Sequence, residues 1–141
     1  MNKICTSIEE SKKLIELGID VNTADMHYST WTILNEGEYI LSPNQGETIE
    51  ELQENYGNQV IPAWSLSALL ELIPPYLGEF NDGIDFGFSK AINGKWYTAH
   101  YIKLNDDGLA SFNIFNITVT GDTAVDAAFE MVCWLKENRK I

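Results

Sequence analysis

From Leu14 to Ser89 the chain has no lysine and no arginine, although acidic residues continue throughout. Phosphate backbones are held by cations, so the gap argues against direct binding of nucleic acid through this stretch. It argues against an anionic membrane surface for the same reason. Long apolar runs are missing too, and nothing approaches the roughly 20 residues that span a bilayer. The opening residues, "MNKICTSIEESKK", turn polar within a few positions and lack the apolar core of a signal peptide. The expectation is a cytoplasmic protein.

Cysteine is nearly absent. Cys5 and Cys133 lie near opposite ends, with no C-x-x-C pair. In the cytoplasm the expectation is two reduced, buried thiols. Histidine is as scarce: His27 sits in Met26-His27-Tyr28, and His100 falls mid-way along a strand pattern. Two histidines and two cysteines without paired spacing make a poor metal site, so neither metal nor cofactor is expected. No G-x-S-x-G elbow, H-E-x-x-H helix or phosphate-binding loop occurs. Asn81-Asp82-Gly83-Ile84-Asp85 echoes a calcium loop, but it lacks the full spacing and the closing glutamate, and reads as a turn. Cys5 could act as a nucleophile with His27 or His100, but spacing does not test that pairing. No catalytic residue is assigned.

What the chain does hold is enough apolar material for a core. Of 141 residues, 45% are hydrophobic and 11% aromatic, against a net charge of −12, which fits one domain, 1–141, and not a disordered acidic tail. Thr6-Ser7-Ile8-Glu9 reads as a capping box opening a helix over 6–17, with Gly18 as its stop and Ile8 and Ile15 on the buried face. Tyr28, Trp31, Ile33, Tyr39 and Ile40 favour strands on either side of an Asn35-Glu36-Gly37 turn. A polar segment follows, with a short helix expected around 47–55. In "PAWSLSALLELIPP", Ser65 is a good N-cap, and Trp64 and Leu69 occupy the two positions of a hydrophobic staple. Pro74-Pro75 then stop that helix near Ile73.

The second half reads as strands, then a helix. Asn93-Gly94 is a strong hairpin signal between alternating arms. "LASFNIFNITV" supplies a third strand. Asp122 or Thr123 caps a final helix over 122–138. The predicted fold class is α+β: an antiparallel sheet of about four to five strands packed against two or three helices, chiefly 6–17, 65–73 and 122–138.

With these elements placed, the chain resembles a group of small uncharacterised proteins encoded by bacteriophages and prophages of gut-type bacteria. The likeness is carried by "CTSIEESKKLIELGIDVNTADM", "IPAWSLSALLELIP" and, more generically, "DAAFEMVCWLKE". The group's last helix often opens with Asn-Pro, where this chain has Gly121-Asp122-Thr123. The resemblance implies a phage-derived origin and a common fold, and transfers no catalytic residue.

The expected function is that of a non-enzymatic binding protein, a modulator or inhibitor of a host or phage protein. The charge gap suggests a basic protein partner, and a second copy of the chain is also admissible. The alternative is a small-molecule binder or sponge with an aromatic-lined pocket, and an enzyme comes third. Aromatic residues on an uncovered sheet face anchor interfaces or stack on ligands. The candidate binding residues are Trp31, Tyr39, Trp96, Tyr97, His100 and Tyr101.

Overall fold

The computed structural model of the chain describes residues 3–30, 38–57, 59–74, 86–101, 115–139 and 141. It divides into two compact units, one of Ile4–Leu69 and one of Leu70–Ile141 with Met1–Lys3. In the first unit, helix α1 (Ile8–Glu16) opens at Ser7, one residue later than the Thr6 cap expected. The Ser7 hydroxyl accepts from the Glu10 amide at 3.1 Å, and the Glu10 carboxylate accepts from the Ser7 amide at 2.9 Å. Thr6 and Ser7 each have a glutamate three residues on, so the local rule does not choose between them. A distant residue does. The Thr6 hydroxyl accepts from the Trp64 amide at 3.0 Å and pairs with Ser11 Oγ at 2.8 Å, which removes it from capping. The buried stripe of α1 accordingly runs through Ser11 and Leu14, while Ile15, expected inside, is exposed. Gly18, at φ +89°, ends the helix as predicted.

A 3-10 turn (Val21–Thr23) leads into strand β1 (Met26–Thr30). Strand β1 pairs antiparallel with β2 (Tyr39–Pro43) on one side and with β3 (Ile61–Ala63) on the other, in the order β2-β1-β3. Helix α2 (Ile49–Tyr56) lies in the polar segment between β2 and β3. Thr48 caps it, and Thr48 and Glu51 form a capping box. Ile49 and Leu52 anchor it inside, and Tyr56 stays exposed. Trp64 follows β3 and is 0% exposed. Its indole N–H donates to Thr23 Oγ1 at 2.9 Å, so the one polar atom of a large buried ring is paired. Ser65 caps helix α3 (Leu66–Leu72): its hydroxyl accepts from the Ala68 amide at 3.2 Å. Leu69 is buried, whereas Ser67 and Glu71 face out, as the pattern predicts.

In the second unit, β4 (Phe86–Lys90), β5 (Trp96–Tyr101) and β6 (Phe115–Gly121) form an antiparallel meander. The expected Asn93-Gly94 turn joins the first two strands, with Gly94 at φ +85°. Helix α4 (Ala124–Glu137), capped by Thr123, packs on β5 and β6. Its first turn sits so close to the end of β6 that a Cβ on Gly121 would lie 2.4 Å from Ala127 N. Cys133 on α4, like Cys5 in the first unit, is buried and forms no disulfide among the described residues. The fold is α+β, with its strands divided between two three-stranded antiparallel sheets among the described residues.

Candidate binding cleft

The alternation of β1 sends His27 and Ser29 to one face and Tyr28 to the other. Across the ladder His27 lies opposite Ser42, and Ser29 opposite Ile40, so these four residues share a face. The chain then turns sharply at Asn44-Gln45-Gly46-Glu47. The Glu47 amide donates to the Asn44 carbonyl at 3.0 Å, and both central residues hold positive φ, +53° at Gln45 and +85° at Gly46. Leu52 and Tyr56 of α2 complete a cleft of about 320 Å³, with His27, Ser29 and Ser42 on its sheet side and Glu47 from the turn.

Hydrogen bonding fixes the imidazole at one edge. Asn44 Nδ2 donates to the Ala24 carbonyl at 2.9 Å. A carbonyl only accepts, so the Asn44 amide oxygen is the atom turned to His27 Nδ1, 2.8 Å away. His27 therefore carries a proton on Nδ1, and in the neutral ring Nε2 is a lone-pair acceptor.

Of the residues proposed from sequence that the structure describes, none lines this cleft. Trp31 lies outside the described residues. Tyr39 is 44% exposed near the start of the edge strand β2, beside the exposed Ile40. Trp96, half-buried at the start of β5, has Lys90 Nζ 5.8 Å from its ring centroid and adjoins a second cleft with Lys3, Asp122 and Thr123. Tyr97, His100 and Tyr101 follow on β5, at register positions opposite Thr120, Ile117 and Phe115 of β6. Sequence reasoning thus spread its candidates over two sheets and missed His27, Ser29, Ser42 and Asn44. The available signal was the polar alternation His27-x-Ser29 beside Tyr28, in a stretch whose aromatic and β-branched residues favour strand.

The same unit carries most of the charge imbalance. Ile4–Leu69 holds eleven of the 21 acidic side chains, with Lys12 and Lys13 as its only basic ones. Glu47, Glu50, Glu51 and Glu54 are all exposed. No family model, curated protein or solved structure matches the chain.

Proposed function

We propose that this is a non-enzymatic, phage-derived binding protein that occupies a basic surface of a host or phage protein and modulates or inhibits it. The observation that supports the reading is the run of exposed carboxylates on α2 and the turn before it, within a sequence stretch that has no lysine or arginine. Such a surface speeds encounter with a partner of opposite sign and suppresses encounter with its own sign. Exposed Tyr39, Ile40 and Tyr56 in the same unit offer apolar anchors of the kind that carry interface energy. The phage origin rests on the resemblance of the three sequence segments alone. The test is capture of partners from host lysate, followed by association kinetics on the purified pair. A basic partner whose on-rate falls with salt, and falls again in the Glu47→Gln, Glu50→Gln, Glu54→Gln triple variant, supports the reading. A partner whose on-rate ignores both sinks it.

A second reading, a small-molecule binder, is favoured by the cleft at His27. Its lining differs from the aromatic one expected, since among the described residues Tyr56 is its one Phe, Tyr or Trp side chain.

A further inference from the structure

The described residues include five buried polar side chains: Thr6, Ser11, His27, Ser29 and Asn44. Three of them are paired within the fold. Thr6 and Ser11 bond each other, Thr6 also accepts from Trp64, and Asn44 bonds both Ala24 and His27. The exceptions are Nε2 of His27 and the hydroxyl of Ser29, which have no hydrogen-bond partner among the described residues. Each of these side chains is only 8% exposed, and both line the same cleft. Buried polar groups are nearly always paired, and an orphan costs about 1–3 kcal/mol. Two orphans converging on one cleft point to an occupant.

The chemistry of the lining selects its class. Nε2 offers an acceptor, Ser29 and Ser42 offer hydroxyls, and Glu47 offers a carboxylate without an ion pair among the described residues. An anion is disfavoured, because the sequence supplies no cation between Leu14 and Ser89 and Glu47 repels it. A metal ion is disfavoured as well: no group of three or more His, Cys, Asp or Glu clusters among the described residues, and one imidazole with one carboxylate falls short of the usual ligand set. What remains is a cation that donates hydrogen bonds. Leu52 and the ring of Tyr56 suit an aliphatic stem, and an aromatic face attracts a cation besides. A cleft of about 320 Å³ is at the small end for ligand sites.

We propose that the cleft between β1, β2 and α2 takes a primary ammonium or guanidinium head group, which donates to His27 Nε2 and the Ser29 hydroxyl and pairs with Glu47. The head group comes from a free small amine or from a lysine or arginine side chain of a partner. The partner-borne source rests on the basic-partner reading above, and the free-amine source does not.

The test is a titration of the intact protein followed by amide NMR shifts, with four cationic probes and one uncharged control. Butylammonium and agmatine represent free head groups. Backbone-blocked lysine and backbone-blocked arginine represent a partner's side chains. Nε-acetyl-lysine, blocked in the same way, is the uncharged control. The expected result is a saturable shift at Ser29, Ser42, Asn44 and Glu47 with cationic probes and none with the acetylated one. Glu47→Gln and Ser29→Ala should each weaken binding by roughly tenfold, the loss of one charge-assisted hydrogen bond. Ser29→Ala removes a hydroxyl that bonds nothing among the described residues, so its thermal midpoint should not fall. Saturation by the free amines only assigns the site to a small molecule, and tighter binding of the blocked residues assigns it to a partner's side chain. The proposal is overturned by the absence of saturable shifts at roughly 20 mM probe, a concentration that populates even weak small-ligand sites. Equal binding of the acetylated control, or affinity unchanged in both variants, overturns it too. If the probes fail while a basic partner still associates in a salt-dependent way, the cleft inference falls and the basic-partner reading stands.

Discussion

The Tyr28 phenol lies on the face of β1 opposite His27. Its O–H donates to the Thr6 carbonyl at 2.8 Å and lies 3.5 Å from Cys5 Sγ. Burial first, then the hydrogen bond and charge interaction with Cys5 and the charge of Glu10, hold this phenol well above its ordinary range. A raised pKa means that the folded state prefers the neutral phenol. The resulting stability is complete below the unfolded value of about 10 and is lost as pH rises from there toward the folded value. Tyr28→Phe keeps the ring and removes the titration. At neutral pH it should cost about 0.5–1.5 kcal/mol for the lost hydrogen bond. Above pH ~10 the gap between wild type and variant should narrow in denaturant melts. A constant gap up to the alkaline limit of the measurement would rule out Tyr28 as the cause of the slope. Trp64 gives a second, larger expectation at this scale. It is fully buried and bonded through both amide and indole nitrogens, so Trp64→Ala should cost about 3–5 kcal/mol. Ser65→Ala, which removes a cap, should cost about 1 kcal/mol. An unchanged midpoint for Trp64→Ala would contradict its place in the core.

Elements were legible where their signals are local, and misplaced where a distant residue decides. Helices α2, α3 and α4 follow from caps and apolar spacing a few residues apart, and Gly18 and Gly94 mark positive φ where the pattern asked for it. The start of α1 shifted because Trp64, 58 residues away, takes the Thr6 hydroxyl. The cleft escaped notice for the same reason: His27 and Asn44 are 17 residues apart, and no local rule joins them. Gly121 belongs with these hidden constraints. Nothing in the sequence marks it, yet the first turn of α4 lies against its Cα. Gly121→Ala forces a backbone shift there and should destabilise by about 1–3 kcal/mol, as overpacking does. Gly94→Ala is the comparison. A Cβ there meets nothing within 4 Å, so its only cost is the left-handed φ, about 1 kcal/mol. If Gly121→Ala proves no worse than Gly94→Ala in a denaturant melt, the contact between β6 and α4 is looser than the structure has it.

At the scale of the whole molecule the controlling fact is the net charge of −12, concentrated in Ile4–Leu69. Like charges crowded on a folded surface repel, and unfolding relieves that repulsion by spreading them apart. Added salt screens exposed charges beyond a Debye length, about 10 Å at 0.1 M. The thermal midpoint should therefore rise from low to physiological salt. Association with a basic partner responds to the same screening in the opposite direction: its on-rate should fall over that range. The two trends share one source, so one set of substitutions should move both. Glu47→Gln, Glu50→Gln and Glu54→Gln together leave the Thr48–Glu51 capping box intact. They should raise the low-salt midpoint, flatten its salt dependence and slow association. A triple variant that slows association without flattening the salt dependence of melting would show that these carboxylates contact the partner but do not strain the fold. One that flattens melting while leaving the on-rate unchanged would show that the partner docks elsewhere, and the acidic surface of α2 would lose its role in encounter.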